Sequence, residues 1–339
     1  MSATSENRAP IRSGVPGCPF PTALNPHAGE AQEGTVRWTE SFGLCTDAGE
    51  LAAFRAADIG RLAARNHPDL SAADLRLVAD WYSWLFLLDD ARDGSEHRGG
   101  HPVAELASLQ RRLVPVLLGA RPDGGPFARA LADLADRLFD GGREAATGLV
   151  RAFADHLAAG LWEAGNRSSG RPPSLSSYLE MRPLTGGLQI VTEIVWVLEG
   201  GALPRGAVEH PVVARATRAS HNAVCWANDL LSLRKELAVG EVNNLVVVLA
   251  RERGLSLERA AGEALSMYDR EVGLLAELLD GLTSSGVEAP RCALERYADL
   301  LRNRVRGVLD WSRETARYGA RPAAVGAGLP ELGAAPLTT

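Results

Sequence analysis

The chain has 339 residues, 46% of them hydrophobic and 23% charged, with a formal net charge of −6. That length supports a large core, as one big domain or two modest ones. Charges of both signs are interspersed without a basic stripe, which argues against nucleic acid as a partner. Cys18, Cys45, Cys225 and Cys292 are far apart and form no C-x-x-C pair, so free thiols in a reducing cytoplasm are expected. The N-terminus lacks an apolar signal-like run, and no apolar stretch approaches ~20 residues, so neither a signal peptide nor a membrane span is predicted.

Residues 1–22 are rich in Pro, Gly and Ser and are expected to form a flexible segment. A single domain is expected over 23–318, followed by a fraying Gly/Ala/Pro-rich tail at 319–339. Ser71-Ala-Ala-Asp74 fits a helix N-terminus, with apolar residues at Leu75, Leu77, Val78, Trp81 and Leu85 behind it. Breakers follow at Gly99-Gly-His-Pro102, Gly119 to Pro126, Gly141-Gly142, Gly165 to Pro173, Gly200-Gly201 and Ser284-Ser-Gly286. Between them, 145–164, 174–199, 256–283 and 288–316 keep helical spacing. Val246-Val247-Val248 is the best strand candidate, but it lies inside a helix-like run from Asn243 to Arg253. No alternation of strand length and no internal repeat is evident. The expected fold is all-α, a helical bundle with its site between facing helices.

Two oxygen-rich patches end apolar runs. Trp81-Tyr-Ser-Trp-Leu-Phe-Leu-Leu88 leads directly into Asp89-Asp90-Ala-Arg-Asp93. Burying carboxylates is costly unless something positive meets them. Asp89 and Asp93 share a helix face, with Asp90 one step round. Hard oxygen ligands at the rim of an apolar wall suit Mg²⁺, which favours sites completed by substrate phosphates. Alone, the cluster reads equally well as an acidic, solvated helix end. Far downstream, Asn228, Ser232 and Glu236 are spaced i, i+4, i+8 after the apolar Ala223-Val-Cys-Trp-Ala227. At a rise of roughly 1.5 Å per residue they make one stripe about 12 Å long. An amide oxygen, a hydroxyl and a carboxylate are all hard donors. Lys235 sits beside them and can reach a phosphate as a point charge. A plain polar helix face is the alternative.

Met181-Arg182-Pro183, followed by Gly186-Gly187, interrupts an apolar helical pattern. Proline removes a backbone donor and clashes one turn back, so a kink is expected. Packing alone is one account of it; a functional break that turns carbonyls into a cavity is the other. The seven histidines suggest no metal box: His97 and His101 straddle Gly99-Gly100, and His221, one turn before Cys225, reads as packing. Asn166-Arg-Ser168 is a formal glycosylation acceptor without a secretory route to support it.

Asp89-Asp90-x-x-Asp93 and Asn228-Asp-x-x-Ser232-x-x-Lys235-Glu236 resemble the two metal-binding motifs of bacterial class I terpene synthases. Tyr178-Leu-Glu-Met-Arg182-Pro-Leu-Thr185-Gly186-Gly187 resembles the family's diphosphate-sensor segment. Arg317-Tyr318, with Trp311 six residues before, resembles its C-terminal Arg-Tyr pair. Pro19-Phe-Pro-Thr-Ala-Leu-Asn25-Pro-His27 and Trp38…Phe42-Gly-Leu44 resemble its opening segment. The likeness runs from about residue 18 to 318. The Asn/Ser/Glu motif is the specific one, because the aspartate motif is shared with prenyl-chain elongating enzymes.

The resemblance implies a class I terpenoid synthase fold with a central cavity. It implies three Mg²⁺ held by Asp89 and Asp93 on one wall and by Asn228, Ser232 and Glu236 on the other, with Asp90 in support. Arg182, Lys235, Arg317 and Tyr318 would bind diphosphate, and Thr185 and Gly186 would be linker and effector at the helix break. Phe86 and Trp311 are candidate pocket rings, since ring faces attract a carbocation by roughly 0.5–2 kcal/mol per contact; both are equally readable as core. A prenyl diphosphate is the implied substrate. Farnesyl diphosphate is the common one in such proteins. Only 6% aromatic content, and aliphatic residues around Ile59 where relatives place a ring, keep geranylgeranyl diphosphate open. A prenyl-chain elongating transferase on the same fold is the alternative within the class. A silent helical module that binds Mg²⁺ or a partner is the alternative outside it. An antiparallel homodimer is a further implication of the likeness.

Overall fold

The computed structural model describes residues 16–97, 102–122, 124–140, 142–143 and 145–318. Among the described residues the regular structure is entirely helical, as the sequence predicts. The helices are α1 (Ala28–Phe42), α2 (Ala48–Ala57), α3 (Ile59–Asn66), α4 (Ala72–His97), α5 (Pro102–Leu117), α6 (Pro126–Leu138) and α7 (Ala146–Ser169). They continue with α8 (Leu175–Thr185), α9 (Leu188–Leu198), the short α10 (Arg205–Val208), α11 (Pro211–Ala238), α12 (Leu245–Arg253), α13 (Leu257–Asp280) and α14 (Arg291–Glu314). Short 3₁₀ turns at Leu282–Ser284 and Ala316–Tyr318 complete the list.

Local chemistry sets the boundaries. Ser71 Oγ accepts from the Asp74 amide at 3.1 Å and donates to the Asp74 carboxylate at 2.7 Å, a reciprocal cap that starts α4 where the sequence placed it. Prolines occupy the first turns of α6 and α11, where a missing N–H costs nothing. Val246–Val248 lie in α12, which starts where Asn244 Oδ1 caps the Val246 amide at 2.8 Å. Gly165 is predicted from the sequence to open a loop. It lies inside α7, which continues to Ser169, because one glycine costs a helix interior only about 1 kcal/mol.

Two long helices organise the bundle. α4 packs against α1, α3, α6 and α9, while α11 packs against α13, α14, α12 and α8. Trp81 and Trp84 of α4 are wholly buried, with Trp226 of α11 at 5% exposure. α14 lies along α3. The contact is close at Gly307, where any Cβ would overlap the Asn66 side chain and the backbone of Arg65.

The chain from 16 to 27 has no helix, yet it is fastened to the bundle. Phe20 is buried, Tyr268 Oη donates to the Gly17 carbonyl at 2.6 Å, and Thr22 Oγ1 donates to Asp310 at 2.6 Å. Asn25 is buried and donates to the carbonyls of His67 and Leu70 at 3.1 and 2.8 Å. Packing therefore begins by residue 16, ahead of the expected boundary at residue 22. Residues 1–15 and the tail from 319 lie outside the described residues.

Candidate active site

The expected helical run from 174 to 199 is two helices. α8 ends at Thr185 and α9 starts at Leu188, with Gly186 and Gly187 between. Pro183 does not end α8, which continues two residues beyond it. Its missing N–H orphans the Leu179 carbonyl, and Arg218 Nη2 of α11 donates to that oxygen at 2.9 Å. The break falls instead at Gly187, which has a φ of +66° that glycine adopts without strain. A Cβ on Gly186 would meet Cys225 Sγ at 2.7 Å. His156 Nδ1 lies 3.0 Å from the Leu184 carbonyl and holds the last turn before the break.

Arg182, one turn before the break, turns toward α11. Its Nε and Nη2 donate to Asp229 Oδ1 at 3.0 and 2.8 Å, and Nη2 also reaches Asn228 Oδ1 at 3.0 Å. Nη1 meets Thr185 Oγ1 at 3.3 Å, so the expected sensor and linker residues touch. Along α11, Ser232 Oγ donates to Glu236 Oε1 at 2.6 Å, and Asn244 Nδ2 donates to Glu236 Oε2 at 2.8 Å. The Glu236 carboxyl is pushed up to about 7, first by burial and then by the negative charge of Asp229; hydrogen bonds from Ser232 and Asn244 pull the other way. A contiguous set of amide, hydroxyl and carboxylate oxygens on one helix face fits a divalent cation. Lys235 is exposed on the same helix.

The aspartate patch lies at the far end of α4. Asp90 is held by both terminal nitrogens of Arg317, at 2.8 and 2.6 Å, a two-point guanidinium–carboxylate contact. Asp89 is half-buried, and its negative charge is one of those that raise Arg317. The Asp93 side chain lies outside the described residues. The next residue, Tyr318, accepts from Asn228 Nδ2 at 2.7 Å. Burial lifts its phenol to about 12, so it stays neutral. Two consecutive residues thus reach from one oxygen-rich patch to the other. Glu163 on α7 is paired with Arg167 at 3.5 Å, and burial raises its carboxyl.

The two candidate pocket rings meet beneath this bridge. Phe86 and Trp311 pack edge-on with centroids 5.9 Å apart, Tyr318 meets Trp311 at 5.7 Å, and the Arg317 guanidinium lies 5.0 Å from the Phe86 ring. Trp311 is 2% exposed and donates to the Ala57 and Asp58 carbonyls at 2.8 and 3.1 Å. Sequence reasoning missed Asp229, Tyr178 and Asn244. Asp229 is wholly buried and also takes hydrogen bonds from Tyr178 Oη and, at 3.3 Å, the Leu245 amide. Sequence carries no separate signal for it: it is a polar neighbour of Asn228 followed by Leu230-Leu231, and its partners come from elements far away in the chain.

The chain matches known proteins in sequence and in fold. Residues 80–273 match the family model described as terpene synthase family 2, C-terminal metal binding. The chain is 33% identical to the (+)-T-muurolol synthase of Roseiflexus castenholzii, described as (2E,6E)-farnesyl diphosphate cyclizing, over 88% of this chain and 92% of that one. It is 34% identical to the 10-epi-cubebol synthase of Sorangium cellulosum, over 89% and 96% of the two chains. Among solved structures, germacradien-4-ol synthase from Streptomyces citricolor superposes with a TM-score of 0.76 at 26% identity, covering 88% of this chain and 97% of that one.

Proposed function

The chain belongs to the terpene synthase family and is a terpene cyclase, and on that premise we propose that it ionises farnesyl diphosphate with Mg²⁺ and closes the resulting cation into a cyclic hydrocarbon or alcohol. The Roseiflexus relative described as cyclising (2E,6E)-farnesyl diphosphate, matched over 92% of its length, favours that chain length over geranylgeranyl diphosphate. A metal-binding family and a hard-oxygen donor set favour Mg²⁺, in the number of three that the resemblance implies.

Ionisation builds negative charge on the departing diphosphate, and bound Mg²⁺ supplies the electrostatic stabilisation of that charge. In this reading Asp89 and Asp93 hold metal from α4, while Asn228, Ser232 and Glu236 hold it from α11. Arg182, Lys235, Arg317 and Tyr318 donate to the diphosphate oxygens, the arginines through planar forks. Thr185 steadies Arg182 beside the Gly186–Gly187 break. Phe86 and Trp311 offer ring faces to the cation and keep water from it.

The observation that carries the reading is the span of Arg317-Tyr318, which touches Asp90 on one patch and Asn228 on the other. Adjacent residues that touch both patches support the reading that the two act on one diphosphate. The test is incubation with farnesyl or geranylgeranyl diphosphate and Mg²⁺, followed by gas chromatography with mass detection. A cyclic C15 product is expected. Turnover of geranylgeranyl diphosphate alone would overturn the chain length, and a longer linear product with isopentenyl diphosphate would overturn cyclisation.

A further inference from the structure

Asp229 is the most buried carboxylate of the site, and the proposed reaction gives it no part. It is 0% exposed on α11 and is held from three directions: by Tyr178 Oη of α8, by the Leu245 amide at the start of α12, and by the fork of Arg182. Its own carbonyl accepts from Asn244 Nδ2 at 2.8 Å, the same side chain that holds Glu236 Oε2. A carboxylate fixed this way has one available geometry, and it sits between the stripe proposed to bind metal and the arginine proposed to bind diphosphate.

The decisive detail is the sharing of Arg182 Nη2. That nitrogen lies 2.8 Å from Asp229 Oδ1 and 3.0 Å from Asn228 Oδ1. Asn228 Oδ1 is the atom a cation would take, because the amide nitrogen of Asn228 is committed to Tyr318 Oη. A guanidinium and a divalent cation repel each other and do not share one amide oxygen. Cation binding at Asn228 therefore displaces Nη2 from it. Asp229 still grips Arg182 through Nε, so the side chain turns about a fixed point rather than leaving.

We propose that Asp229 is a positioning residue that couples the two halves of the site: it pivots Arg182, so that cation binding at Asn228 releases an N–H of that arginine toward diphosphate. The inference rests on the functional reading above and extends it. Metal and diphosphate binding become reciprocal, since each favours the arrangement in which Asn228 and Arg182 are apart.

The test uses the full chain and inorganic diphosphate, titrated calorimetrically at a series of Mg²⁺ concentrations. Wild type is expected to bind diphosphate more tightly as Mg²⁺ rises. Asp229→Asn is expected to weaken diphosphate binding at saturating Mg²⁺ by about tenfold or more and to flatten its dependence on Mg²⁺, with helical circular dichroism unchanged. Asp229→Glu restores the charge but displaces it, and is expected not to restore the coupling. A folded Asp229→Asn that keeps the wild-type Mg²⁺ dependence overturns the proposal, as does full rescue by Asp229→Glu. Should Asp229→Asn fail to fold, Tyr178→Phe carries the same test: loosening the carboxylate is expected to weaken diphosphate binding several-fold at fixed Mg²⁺, and unchanged binding overturns the pivot. Wild type that binds no diphosphate at any Mg²⁺ concentration overturns the functional reading itself, and the pivot with it.

Discussion

Asn228 and Glu236 occupy the ends of one stripe; the Asn228 amide oxygen takes a hydrogen bond from Arg182, and the Glu236 carboxyl takes hydrogen bonds from Ser232 and Asn244. Glu236→Gln or Asn228→Ala should therefore lower turnover by about 10²-fold or more, through loss of leaving-group stabilisation, while the helical fold persists. Full activity with Mg²⁺ supplied would remove these residues from the metal site. Phe86 makes a different kind of prediction. It is half-buried and lies under Arg317 and against Trp311. Phe86→Ala opens the wall beside the cation without touching a ligand, so the product mixture should shift toward early-quenched alcohols at modest cost in rate. An unchanged product profile would return Phe86 to ordinary core. Asp229 shows the limit of pattern reading at this scale: a buried aspartate beside a motif is unremarkable in sequence until its three partners are seen converging from separate elements.

At the scale of an element, the break between α8 and α9 depends on two glycines for two different reasons. Gly187 needs a left-handed backbone, and Gly186 needs room beside Cys225. Gly187→Ala keeps the space but strains the backbone by roughly 1–2 kcal/mol. It is expected to lower Tm by a few degrees and to reduce kcat more than it raises KM, because Arg182 is anchored just before the break. A substitution that leaves both kinetic constants unchanged would show the break to be a packing device only. The sequence showed that a break existed here, through Pro183 and the glycine pair. It did not show that Pro183 lies within a continuing helix, because the donor for the orphaned Leu179 carbonyl comes from Arg218, 39 residues away.

For the molecule as a whole, buried ionisable groups set the response to acid. His67 is buried against Tyr82, and its ring is pushed down to about 3, first by burial and then by the charge of Arg304. His221 is likewise held well below its usual value by burial and by Arg304, whose Nη1 lies 2.9 Å from its ring nitrogen. Both rings are neutral in the folded state, whereas an unfolded chain protonates them below about pH 6.5. For His67, stability is thus fully present above that pH and is lost as pH falls toward 3, at about 1.4 kcal/mol per pH unit, and His221 adds in the same direction. Denaturant midpoints measured across this window should fall with acid, and His67→Gln should flatten the slope by about one proton. A slope identical to wild type would show that His67 is protonated in the folded protein.

Periodicity and breakers made the helices legible, since each depends on neighbours within a turn or two: the cap at Ser71, the helical reading of Val246–Val248, and the stripe of Asn228, Ser232 and Glu236. The family was legible because Asp89-Asp90-x-x-Asp93 and Asn228-Asp-x-x-Ser232-x-x-Lys235-Glu236 are each short motifs within one helix, and the chain belongs to the family they resemble. What the linear chain left open was every relation between distant segments. Only the packed bundle put Arg317 on Asp90 and Tyr318 on Asn228, fastened residues 16–27 onto α13 and α14, and set Asp229 between Arg182 and the α11 stripe. Local geometry is fixed by backbone sterics over a few residues, whereas these contacts exist only after helices far apart in sequence have buried their apolar faces together.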